Sequence, residues 1–91
     1  MKNKVVIITG ASSGIGKACA EKFGNEGAKL VITGRNAANL DETANWLTQK
    51  GIEVLRVVSD VALAADCKRI VDETIAKFGK IDVLINNAGI S

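Results

Sequence analysis

Four short runs rich in Val, Ile and Leu punctuate the chain: Val5–Thr9, Leu30–Thr33, Val54–Val58 and Ile81–Asn86. They are nearly continuous rather than alternating, the pattern of strands covered on both faces, as in a parallel sheet. Helix-length segments with apolar positions three and four apart lie between them. The first runs from about Gly14 to Glu26, with Ile15, Ala18, Cys19 and Phe23 in one stripe and Gly27 as its stop. The second runs from about Ala37 to Lys50; Asn36 suits its cap, Leu40, Ala44 and Leu47 form the stripe, and Gly51 ends it. The third runs from about Ala64 to Phe78, with Cys67, Ile70, Val71, Thr74, Ile75 and Phe78 on one face and Gly79 after it.

The order is therefore β-α-β-α-β-α-β. Strands alternating with helices make parallel βαβ units with right-handed crossovers. The expected strand order is 3-2-1-4, half of a doubly wound, Rossmann-type α/β sheet with helices on both faces. Residues 1–91 make one small domain. The direction of winding reverses at the third crossover, so the third helix lies on the opposite face from the first two. Cys19 and Cys67 then sit on opposite faces, too far apart for a disulfide, and both read as buried small apolar residues.

Composition narrows the chemistry. The 91 residues contain no His and no Tyr, which removes His-based triads, His metal ligands and phenolic proton donors. Two Cys cannot complete a four-ligand zinc site, and without secretory features they read as reduced thiols of a cytoplasmic protein. Twelve basic and ten acidic residues leave a net charge of +2, no electrostatic case for nucleic acid or a membrane surface. No apolar run reaches the ~20 residues of a membrane helix.

The candidate site is the turn Thr9-Gly10-Ala11-Ser12-Ser13-Gly14-Ile15-Gly16, between the first strand and the first helix. Glycines allow a tight turn and let a phosphate approach the backbone. The helix start behind them offers free N–H groups and partial positive charge, and Ser12 and Ser13 add hydroxyls. A ligand-free Gly/Ser connector is the plain alternative, but this turn sits where the strand order reverses, the expected ligand crevice. Gly-Lys-Ser/Thr is absent, which disfavours a Walker-type nucleotidase.

Thr9 to Gly16 resembles the Thr-Gly-x-x-x-Gly-x-Gly element of the short-chain dehydrogenase/reductase family. Asp60-Val61 after the third strand and Asn86-Asn87-Ala88-Gly89 after the fourth resemble two further elements of that family, in the same order. The resemblance spans the whole chain and implies the N-terminal, cofactor-binding portion of a family member. It implies that Ser12, Ser13 and Ile15 line the cofactor's phosphates and riboses, with Gly10, Gly14 and Gly16 giving close approach. Asp60 would accept from the adenine amino group and the Val61 N–H would donate to a ring nitrogen, while Asn87, Ala88 and Gly89 flank the adenine-side ribose. Independently of the resemblance, Asp60 could cap the third helix, and Asn86 and Asn87 could be simple turn residues.

NAD sites place an acid at the end of the second strand, for the ribose 2′-hydroxyl. Here Gly34 holds that position and Arg35 follows it. A guanidinium grips a 2′-phosphate bidentately, so the expected cofactor is NADP in preference to NAD. The competing role for Arg35 is an exposed loop charge. A methyl-donor-binding relative would also want the missing acid. The family's chemistry, hydride transfer between nicotinamide and a carbonyl assisted by Ser, Tyr and Lys, lies beyond the fourth strand, so no catalytic residue is assigned among these 91. The expected function is an NADP-binding module; the alternative is a folding or assembly scaffold that binds nothing. An apolar fourth strand at the sheet edge predicts a homodimer or higher oligomer through it, disrupted by Val83→Lys.

Overall fold

The computed structural model describes residues 1–12 and 14–87. Its elements are β1 (Val5–Thr9), α1 (Gly14–Asn25), β2 (Lys29–Gly34), α2 (Ala37–Gln49), β3 (Val54–Val58), α3 (Ala64–Phe78) and β4 (Val83–Asn86). The strands form one sheet in the order β3-β2-β1-β4. All three pairings are parallel, with Val5 opposite Lys29, Val6 opposite Val83 and Leu30 opposite Val54. The predicted α/β half-Rossmann topology is the observed one.

Side-chain alternation divides the core. Val6, Ile8, Leu30 and Ile32 point to the side of α1 and α2, where Ala20, Leu40, Leu47 and Ile52 meet them. Val5, Ile7, Val31 and Val57 point to the other side, where Ile70 of α3 meets them. Gly24 lets α1 close on this core, because a Cβ there would stand 2.5 Å from Ile52 Cδ1. The α1/α2 layer is fully covered, since β1 and the middle of β2 have no exposed residue.

The α3 layer is incomplete, and this corrects two expectations. Of its stripe, Ile70 and Thr74 are buried, while Val71 and Ile75 are 44% and 45% exposed. Cys67 is exposed and Cys19 half-buried, so neither is the buried small residue expected. The stripe turns partly outward because the sheet beneath α3 ends at β4. An open apolar groove of about 260 Å³ remains there, lined by Ile7, Ile70, Val71, Ile81 and Leu84 among others. The edge strand also points differently from the expectation for Val83. Val83 packs toward the α1/α2 core, and the exposed apolar residue of β4 is Leu84, at 62%.

Strand β4 begins at Val83 rather than Ile81 because Asp82 joins β1 with its side chain. Its Oδ2 accepts the Val5 N–H at 2.8 Å, and its own N–H donates to Val5 O at 2.9 Å. Lys80 Nζ stands 3.1 Å from the same carboxylate oxygen. The Val5 N–H first, and then Lys80, hold the Asp82 carboxyl below its usual range. A carboxylate whose folded pKa is depressed stabilises the fold above its unfolded value and loses that contribution as pH falls through the folded one. The chain is therefore expected to lose stability from about pH 4 downward more steeply than Asp82→Asn, which has no carboxyl to protonate. Thermal melts at pH 7, 4 and 3 check this; parallel pH profiles for the two proteins would exclude it.

Candidate functional site

Every predicted site residue that the structure describes lies at the C-terminal edge of the parallel sheet. Gly10, Ser12, Gly14, Ile15 and Gly16 follow β1, Arg35 follows β2, Asp60 and Val61 follow β3, and Asn87 follows β4. Ser13, Ala88 and Gly89 lie outside the described residues. β1 is paired with β2 on one side and β4 on the other, so its C-terminal turn is the topological switch point.

The turn is shaped by two glycines in the left-handed region, Gly10 at φ 64° and Gly14 at φ 51°. The Ala11 N–H donates to Thr33 O at 3.3 Å, which anchors the turn on β2. Gly16 is the tightest point: a Cβ there would lie 2.4 Å from Gly10 O and 2.7 Å from Asn87 Nδ2. Helix α1 can thus begin directly against the turn. It carries no acid in its first turn and Lys22 in its last, the arrangement that leaves its start receptive to an anion. Ile15 stays 61% exposed at that start.

The strand ends are tied together by the side chain of Thr9. Thr9 Oγ1 accepts the Asn87 N–H at 2.9 Å and reaches Asn86 Oδ1 at 3.0 Å. Asn87 Nδ2 then donates to Gly10 O at 3.2 Å. Asn87 is therefore a buried brace between β4 and the glycine turn, more than a simple turn residue. The signal for Thr9 was its register, opposite Asn86 at the last rung of the β1–β4 ladder.

The connection after β3 has an almost complete set of backbone partners. Ser59 N–H donates to Gly34 O at 2.9 Å, Asp60 N–H to Asp66 Oδ2 at 2.7 Å, Ala62 N–H to Asp60 Oδ1 at 2.9 Å and Leu63 N–H to Asp60 O at 3.0 Å. Among the described residues, the N–H of Val61 has no acceptor, and Asp60 Oδ2 has no donor. Both are half-buried residues with a hydrogen-bonding group to spare. Asp60 does not cap α3. Leu63 holds the N-cap position without a side-chain bond, and the Asp60 carboxylate instead closes a turn onto Ala62.

At the end of β2, Asn36 caps α2 as expected, its Oδ1 accepting the Asn39 N–H at 3.0 Å. Arg35 is exposed and has no ion-pair or hydrogen-bond partner among the described residues. A Cβ at Gly34 would stand 3.6 Å from Ser12 Oγ, so the end of β2 faces the glycine turn. The donor set fits a dinucleotide: a cradle at Gly16 that a side chain would fill, a spare N–H and carboxylate after β3, and an uncommitted guanidinium after β2. Among the described residues no three His, Cys, Asp or Glu side chains gather as a metal site, and no helix is long and apolar enough to cross a membrane.

A parallel sheet in the order β3-β2-β1-β4 with this turn at its switch point is the N-terminal half of a Rossmann-type fold. The chain belongs to the short chain dehydrogenase family, whose sequence pattern it matches over residues 4–91. It is 45% identical over 91 residues to "Dehydrogenase/reductase SDR family member 4" of Caenorhabditis elegans, covering 99% of this chain and 35% of that protein. Its fold matches the crystal structure of the apo-form of a glucose dehydrogenase of Caenorhabditis elegans, with TM-score 0.92 and 48% identity, over 99% of this chain and 39% of that one. It also matches an actinorhodin polyketide ketoreductase crystallised with NADPH, with TM-score 0.90 and 32% identity, over 92% of this chain and 32% of that one. The chain spans about a third of the length of the curated relative. Family members bind a nicotinamide dinucleotide through this N-terminal Rossmann portion.

Proposed function

We propose that residues 1–91 form an NADP-binding module serving a carbonyl oxidoreductase of the relatives' kind. The observation that carries the cofactor preference is the end of β2, where a glycine takes the place of an acid and Arg35, exposed and unpartnered among the described residues, follows it. In this reading Arg35 holds the 2′-phosphate, helped by Ser13. The start of α1 with Ser12 and Gly14 takes the pyrophosphate, and Ile15 lies along the nicotinamide-side ribose. Asp60 and Val61 read adenine, and Asn87, Ala88 and Gly89 border its ribose. The bound cofactor supplies the hydride chemistry, while this chain's residues bind and orient it.

Calorimetric titration tests the proposal. NADP⁺ is expected to bind more tightly than NAD⁺, and Arg35→Ala is expected to weaken NADP⁺ by about thirtyfold, the worth of a charge-assisted bidentate contact of about 2 kcal/mol, while leaving NAD⁺ nearly unchanged. A folded protein that binds neither nucleotide would favour the scaffold alternative.

The cytoplasm and a homodimer through β4 complete the proposal. Among the described residues β4 pairs with β1 alone, and Val71, Ile75, Ile81 and Leu84 form an exposed apolar surface beside it. Leu84→Lys, rather than Val83→Lys, is the informative change, because Leu84 points away from the α1/α2 core. Sedimentation should show dimers in the unmodified chain and monomers in Leu84→Lys; equal masses would dismiss β4 as the interface.

A further inference from the structure

Asp66 sits in the first turn of α3, six residues beyond the β3 connection it touches. Its Oδ2 accepts the Asp60 N–H at 2.7 Å, and Arg69 Nη2 lies 3.7 Å from its Oδ1. The same Arg69 nitrogen donates to Val58 O at 2.6 Å. One acid and one base on successive turns of α3 thus hold the connection on both sides of Ser59. An acid in the first helical turn ordinarily bonds the N-cap backbone. Here the N-cap is Leu63, which offers no side-chain oxygen, and Asp66 reaches past it to Asp60.

The consequence lies in which N–H groups remain available. With the Asp60 N–H committed to Asp66, and those of Ser59, Ala62 and Leu63 committed elsewhere, the Val61 N–H is left as a donor among the described residues. The Asp60 side chain is turned so that Oδ1 meets Ala62 and Oδ2 is spare. We infer that Asp66, held by Arg69, is a positioning residue that sets this connection for reading the edge of adenine. The inference rests on the assignment of Asp60 and Val61 to adenine and goes beyond it by naming what fixes their geometry.

The test compares NADP⁺ with the analogue in which hypoxanthine replaces adenine. The analogue presents a carbonyl and a ring N–H where adenine has an amino donor and a ring acceptor, so it mismatches both Asp60 Oδ2 and the Val61 N–H. The unmodified protein is expected to favour NADP⁺ by about tenfold, the worth of about 1.4 kcal/mol. Asp66→Ala is expected to bring the ratio close to one, and Asp66→Asn, which keeps an acceptor oxygen, to restore most of it. A merely structural role would weaken both ligands alike and leave the ratio at its original value, which would overturn the inference. A ratio of one in the unmodified protein would instead overturn the adenine assignment, and the inference with it. If Asp66→Ala does not fold, Arg69→Met replaces it. That change keeps the aliphatic stem of an exposed side chain and removes its hold on Val58 O and Asp66. It is expected to lower the ratio about threefold; an unchanged ratio would again overturn the inference.

Discussion

Gly16→Ala is expected to abolish nucleotide binding and to destabilise the fold by about 3 kcal/mol, the upper range for an overpacked site. The added Cβ would stand 2.4 Å from Gly10 O, 2.7 Å from Asn87 Nδ2 and 2.9 Å from Ala11 Cα. Two of these three atoms are backbone, so no rotamer change relieves the clash. Either α1 backs away from the turn or the turn lifts off β1, and both break the Asn87–Gly10 hydrogen bond of 3.2 Å. Helix propensity opposes this by about 1 kcal/mol, since Ala is the better helix former, but the steric cost exceeds it. For a domain of this size, 3 kcal/mol corresponds to a fall in Tm of about 12–24 °C. The fluorescence of Trp46, the sole tryptophan, packs against the α1/α2 core and follows unfolding directly. Gly14→Ala is the control: nothing lies within 4 Å of its Cβ, and its φ of 51° costs only about 1 kcal/mol. Equal melting temperatures for Gly16→Ala and the unmodified protein would refute the account of a steric cradle.

The contrast between those glycines shows what the sequence could and could not convey. Strands β1 and β2 were legible because both faces are covered, so Val5–Ile8 and Leu30–Ile32 read as unbroken apolar runs. The glycine turn was legible because its residues are adjacent in the chain. That Gly14 is needed for its conformation and Gly16 for its lack of a side chain was not, because both depend on the path of the turn in space, which brings the Gly10 and Ala11 backbone and, from far along the sequence, Asn87 against Gly16. The α3 stripe was legible as a stripe, but its burial was not. Periodicity identifies a helix face without saying what covers it, and so Cys67 was expected inside and is exposed.

The same limit shows at the connection after β3. Asp60 and Val61 stood out because, after the third strand, they resemble an element of the short-chain dehydrogenase/reductase family. Asp66 did not, because an acid in the first turn of a helix is ordinary and its reach to Asp60 follows from the path of the intervening loop. Gly34 O accepting the Ser59 N–H at 2.9 Å joins the ends of β2 and β3. The phosphate-facing and adenine-facing parts of the candidate site therefore share one backbone support, which makes the side chain at position 34 a clean place to alter one without the other.

Gly34→Asp is expected to reverse the cofactor preference. Gly34 lies in β2 outside the left-handed region, so an L-residue fits its backbone. Its Cβ would meet Leu40 Cδ1 and Ser12 Oγ at 3.6 Å each, ordinary contact that requires no rearrangement. The new carboxylate would stand where the proposed NADP site places the 2′-phosphate. Two unit charges 4 Å apart near a protein surface repel by about 4 kcal/mol, less as the side chain swings toward solvent. A loss of about 2.7 kcal/mol, or about 100-fold in NADP⁺ affinity, is the expected residue of that repulsion. NAD⁺ offers a 2′-hydroxyl instead, which donates to a carboxylate and is worth up to about tenfold. The ratio of the two affinities should therefore move by about 1000-fold toward NAD⁺, while stability changes little. Titration of Gly34→Asp with both nucleotides, beside Arg35→Ala, separates the contributions. Arg35→Ala should remove an attraction and leave NAD⁺ alone, whereas Gly34→Asp should add a repulsion for NADP⁺ and an attraction for NAD⁺. An unchanged ratio in Gly34→Asp would mean that the 2′ position of the ribose lies elsewhere, and the assignment of Arg35 to its phosphate would fall with it.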